Sequence, residues 1–178
     1  RLKELEEEEL KILSTPIGAL DQHTAINSTW RLEGLGVLAW ALNLVEQAPY
    51  DEQVDTGMLL DTLYQAAKSI LERPSVRAEE EIDEYGEQIF ALHWRLVEFT
   101  LNSEVIDFAE IIQQPWIGLR DLTAFHLVNG DLAIGGQRID KAQSKAFSQT
   151  MSIARERHQA INWLLGHNPI YSEIDTST

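Results

Sequence analysis

Cysteine is absent from this 178-residue chain. That excludes disulfide frameworks, thiolate zinc sites and cysteine nucleophiles, and it fits a reducing, cytoplasmic setting. Basic residues are scarce as well: 14 Lys plus Arg stand against 29 Asp plus Glu, for a formal net charge of −15. Such a chain repels nucleic acid and anionic lipid, so neither is expected as a partner, and a basic protein is its electrostatic counterpart. Long apolar runs are missing too. The best stretch, Leu35 to Leu42, is interrupted by Gly36 and falls well short of the ~20 residues that span a bilayer. No secretory signal pattern is visible, although the chain opens at Arg1 rather than Met.

The length suits one domain with one sizeable core. The acids come in three groups: Glu4 with Glu6 to Glu9, then Glu79 to Glu81 with Asp83, Glu84 and Glu87, and finally Glu173 with Asp175. Solvated faces and helix N-termini account for such runs, and a docking surface for a basic partner is the sharper alternative.

Apolar periodicity predicts a mainly α protein. It reads as a compact multi-helix bundle around a central helix at about 30–45, with a small β-hairpin or meander near 125–139. Residues 1–28 read as a charged arm or helix followed by a link containing Pro16 and Gly18. Residues 29–178 read as a single helical domain that includes the tail. The central helix has Asn27, Ser28 or Thr29 available as caps, and its apolar positions run almost all the way round, as in a buried helix. An outer helix is expected at about 57–72 behind Asp55 and Thr56, and a heavily buried one at about 77–101. A short helix is expected at 107–113, ended by Pro115, and a long one at 141–165, stopped by Gly166. Asn129-Gly130 and Gly135-Gly136 are tight-turn dipeptides and mark the β segment.

Several stretches resemble one family. They are Trp30-Arg31 with Glu33-Gly34 and the following VLAWAL, the LHWRL run at 92–96, GDLAI at 130–134, the ERH and NWL of the last helix, and the terminal DTST. Together they resemble the family known as domain of unknown function 4272, from about Trp30 to the C-terminus. The resemblance implies a soluble, bacterial-type protein of similar helical form. It implies no activity, and so no catalytic residue is carried over.

Motif spacing argues against familiar chemistry. Glu-x-x-His and His-x-x-x-His, which put two ligands on one helical face, are absent around His23, His93, His126, His158 and His167, so no metal site is expected. There is no G-x-S-x-G, P-loop or G-x-G-x-x-G, and no cofactor is expected.

What stands out is polar residues inside apolar arcs. His93 points toward the core, either as a buried histidine bonded to a carbonyl or carboxylate, or as a base lining a pocket opened by Gly86. Arg157 projects from the centre of the last helix's apolar arc, with His158 near the arc's other edge. A buried guanidinium needs a carboxylate or a bound anion, and Glu33, Asp107 and Asp131 are the candidate acids. Arg31 sits where the helix dipole disfavours it, which points to an ion pair with an acid elsewhere or to substrate contact. Arg95 reads as a snorkelling residue on a helix edge. Trp163 faces away from its helix's apolar arc, to be covered by the returning tail or by a homodimer contact.

The leading expectation is a non-enzymatic interaction or regulatory domain. The alternative is a pocket for a small anionic molecule in which Arg31, His93, Arg157 and His158 converge, with Glu33 and Asp131 in the same network.

Overall fold

The computed structural model describes residues 5–16, 18–114, 117 and 122–178. Among these the chain is mainly α. Its helices are α1 (Glu7–Ser14), α2 (Gln22–Ala41), α3 (Thr56–Glu72), α4 (Glu79–Asn102), α5 (Phe108–Ile111) and α6 (Ser144–Leu164). Three short strands, β1 (Leu127–Val128), β2 (Asp131–Ile134) and β3 (Gln137–Arg138), form an antiparallel meander. Leu127 pairs with Leu132 and Ala133 with Arg138. The two turn dipeptides make the connections: Asn129 and Gly130 both have positive φ, as do Gly135 and Gly136.

Most helix boundaries follow the sequence reading, and the central helix does not. It starts at Gln22, so the expected link is helical in its second half. Its cap is Asp21, whose side chain accepts from the Thr24 amide, rather than Asn27, Ser28 or Thr29. It ends at Ala41, before Val45, because Asn43 turns the chain with a positive φ. Short polar residues such as Ser28 and Thr29 can cap a helix or bond back to a preceding carbonyl inside one. Here they do the latter, on Thr24 and Ile26. Pro115, the expected stop after α5, lies outside the described residues.

α6 packs against both α2 and α4, so the middle of the bundle is shared between α2 and α6. Gly34 permits the close approach on the α2 side: a Cβ there would run into the Tyr171 hydroxyl and come within 3.3 Å of the Ala160 Cβ. Gly36 performs the same service for the segment after α2, since its Cβ would lie 2.7 Å from Val54 Cγ1. Gly36→Ala is therefore expected to cost about 1–3 kcal/mol by overpacking, read as a lower urea midpoint with an unchanged m-value.

The tail folds back on α6. Gln159 Nε2 donates to the Tyr171 carbonyl, Asn162 Nδ2 donates to the Asp175 carbonyl, and Ile174 is buried. The tail covers Trp163 in part, with its indole N–H on the Pro169 carbonyl and its ring against Tyr171, and leaves it 36% exposed.

Candidate functional site

Six of the buried polar residues form two ion-pair staples and one histidine pair. The first staple joins α2 to α6. Arg157 Nε and Nη2 donate to Glu33 Oε2 at 3.1 and 2.9 Å, and both side chains are almost fully buried. The remaining Arg157 donors go to backbone carbonyls, Nη1 to Ala48 and Pro49 and Nη2 to Glu52. A guanidinium has five N–H groups in a fixed fork, and here five acceptor contacts meet them. Glu33 Oε1 takes the Val54 amide at 3.0 Å. The pair thus holds residues 48–54 as a strap across the bundle. The strap is fixed at its other side by Tyr50, whose hydroxyl donates to the Ala133 carbonyl, and by Asp51, which accepts from the Gly135 amide.

The second staple joins α4 to the meander. Arg95 donates from Nε and Nη2 to the two carboxylate oxygens of Asp131 at 2.8 and 2.7 Å, a bidentate pair with both side chains sealed. It also pairs with Glu98 through Nη1 and donates through Nη2 to the Glu104 carbonyl. Asp131 in turn accepts the amides of Ile106 and Leu132. Arg95 is therefore a core residue with 0% exposure, not a snorkelling one, and Asp131 belongs to it rather than to Arg157. A helical wheel gives a direction but no depth. The loop at 104–106 and strand β2 cover an edge of α4 that would otherwise face water.

His93 and His158 meet across α4 and α6 with their Nδ1 atoms 3.0 Å apart. The partner is another imidazole rather than a carbonyl or carboxylate. For both rings, burial is the main cause that holds the pKa down at about 4. Arg155 adds to the effect at His93. At His158, His93 and His167 push the same way and Asp175 opposes them. At neutral pH the pair is uncharged, one ring donating and the other accepting. On the α6 side Gly86 is tightly packed, since a Cβ there would meet Leu165 at 3.0 Å and Ile161 at 3.6 Å, but with His158 it lines a cleft between α4, α6 and the tail.

Arg31 stands apart, paired at 2.9 Å with Glu8 of α1 and partly exposed. The six residues singled out from sequence thus fall in separate places. Glu33 and Arg157 are together, His93 and His158 are together, Asp131 is with Arg95, and Arg31 lies at the α1 contact. No described buried side-chain nitrogen or oxygen lacks a partner.

Among the clefts that border this network are two with apolar walls. One, of about 300 Å³, has Val37, Trp40, Leu59 and Tyr85 as apolar walls and the Glu33–Arg157 pair beside them. The other, of about 600 Å³, opens between the start of α4, the end of α6 and the tail. Phe90, Ile117 and Leu165 line it with His158, and Asp83, Glu87 and Asp175 supply carboxylates. Hydrogen bonds from the Ser177 backbone and side chain hold the Asp175 carboxyl below its ordinary pKa, so it is ionised at neutral pH. Among the described residues no group of three or more His, Asp or Glu could hold a metal ion, and no helix is long and apolar enough to cross a membrane.

These features define a class: a small, mainly α domain whose buried charges are neutralised internally by ion pairs that tie down its loops. The chain belongs to the DUF4272 family, described as a domain of unknown function, whose model matches residues 2–112. The match takes in the N-terminal residues that the motifs had left outside. GDLAI and the motifs of the last helix lie beyond its end. No curated protein and no solved structure matches the chain.

Proposed function

We propose that this chain is a non-enzymatic interaction domain that offers an acidic surface to a basic protein partner. The observation that carries this reading is the cleft between α4, α6 and the tail, where Asp83, Glu87 and Asp175 surround an apolar floor. A lysine or arginine side chain has that same division, an apolar stem and a cationic head. The neutral His158 at its edge subtracts nothing from the negative field. The exposed Glu79, Glu80, Glu81 and Glu84 extend the field along the first turns of α4 and would steer a basic partner toward the cleft.

The competing reading, an anionic ligand held by the buried arginines and histidines, has less support. The N–H groups of Arg157 already meet protein acceptors, and Arg31 is paired with Glu8.

Titration with a lysine-rich peptide tests the proposal. Binding is expected at low salt and should weaken steeply as salt rises. Asp83→Asn, Glu87→Gln and Asp175→Asn combined should weaken it by roughly tenfold. Absence of binding at low salt, or equal binding by wild type and variant, overturns the reading.

A further inference from the structure

We propose that the outer face of α3 pairs in antiparallel fashion with the same face of a second copy of this chain. The inference is independent of the acidic cleft and rests on a different surface. Helix α3 carries two apolar stripes. Leu59, Leu63, Ala66 and Ile70 face the body and are buried or half-buried. Leu60, Tyr64, Ala67 and Leu71 form the second stripe, and all four are exposed, Tyr64 at 87% and Leu71 at 84%. At 100° per residue these four fall within about 60° of one another, and their four-three-four spacing is that of a coiled-coil seam. The fold covers only about half of the helix's apolar arc.

The seam is complementary to itself when the second helix runs the other way. About a twofold axis midway between Tyr64 and Ala67, Leu60 meets the other copy's Leu71. Tyr64 then lies over the other copy's Ala67, large against small. Along one flank run Asp61 and Lys68, one heptad apart and both exposed. In the antiparallel arrangement each Asp61 faces the other copy's Lys68, which gives two symmetric pairs of opposite charge. A parallel arrangement would set Tyr64 against Tyr64 and leave both charges without partners.

Charge also selects the occupant. A chain of net charge −15 repels its own copies, so self-association requires a patch with little local charge. The seam itself is uncharged, and its flank carries Asp61 and Glu72 against Lys68, which reaches Glu72 only at 3.8 Å in the single chain. A basic partner would find one acid in excess here, against three carboxylates in the cleft between α4, α6 and the tail. One helical seam is smaller than the ~800 Å² per partner of a standard interface, so the dimer is weak and concentration-dependent.

Sedimentation velocity over a concentration series, from low micromolar to near-millimolar, tests the proposal. The wild type is expected to shift from monomer to dimer. Tyr64→Glu should raise the dissociation constant by roughly tenfold or more. Asp61→Lys and Lys68→Asp should each weaken the dimer by setting like charges opposite one another. The two combined should return the constant to within about threefold of wild type. Circular dichroism and melting temperature confirm that each variant folds, which the exposure of these residues favours. A wild type that stays monomeric throughout, a dimer indifferent to Tyr64→Glu, or a charge swap that fails to restore association each overturns it.

Discussion

Replacing Arg157 by alanine is expected to remove about 3–5 kcal/mol of folding stability, the range found when one member of a buried ion pair is deleted. The loss has two sources. Glu33 is left as a buried carboxylate with only the Val54 amide to meet it, and the carbonyls of Ala48, Pro49 and Glu52 lose their donor. Arg157→Lys should recover little of this, because an ammonium on one stem cannot reach acceptors spread around a planar fork. Urea unfolding followed by circular dichroism gives the magnitude. Hydrogen exchange at the Val54 amide gives the location, and its protection should fall in the variant before that of α4 does. A loss below about 1 kcal/mol would mean that the strap is held by Tyr50 and Asp51 alone, within the range of ordinary surface substitutions.

The histidine pair predicts a second large effect, in acid. A histidine with an ordinary pKa of 6.5 when unfolded and about 4 when folded takes up its proton mainly in the unfolded state between those values. Its contribution to stability is complete above pH 6.5 and is lost as the pH falls toward 4, at up to about 1.4 kcal/mol per pH unit for each ring. Across the window this amounts to roughly 3 kcal/mol for a single histidine. Comparing urea midpoints at neutral pH and within that window measures the slope. Replacing both His93 and His158 by leucine should flatten the acid limb while leaving most of the structure intact. An acid limb that is equally steep in the double variant would assign it to carboxylates instead.

The first staple was largely legible in the sequence. Counting 100° per residue put Arg157 among apolar neighbours, and the need to neutralise a buried guanidinium led to Glu33 as one of three candidate acids, beside Asp107 and Asp131. His93 was legible as core-facing for the same reason. Its partner was not, because the relative height of α4 and α6 is set by packing, which local spacing does not encode. Arg95 was missed because a single wheel cannot show which loops cover it. The caps of α2 were missed because Asn27, Ser28 and Thr29 offer a second, equally good start just inside a helix that begins at Gln22. For α3 the sequence spacing puts Leu59, Leu60, Leu63, Ala67, Ile70 and Leu71 on one side, whereas the body covers only Leu59, Leu63 and Ile70 of these and leaves Leu60, Ala67 and Leu71 exposed. Their division between an inner and an outer stripe appears only once the position of the body is known.

Glu33 and Arg157 are 124 positions apart in the chain, and Arg95 and Asp131 are 36 apart. During synthesis, then, Glu33 and the strap emerge from the ribosome long before α6 exists to hold them. The family match at residues 2–112 contains one member of each staple and neither completed pair. What is most recognisable in the sequence and what can close its own interior are therefore different lengths of chain: the nascent protein waits for β2 to neutralise Arg95 and for its last long helix to neutralise Glu33.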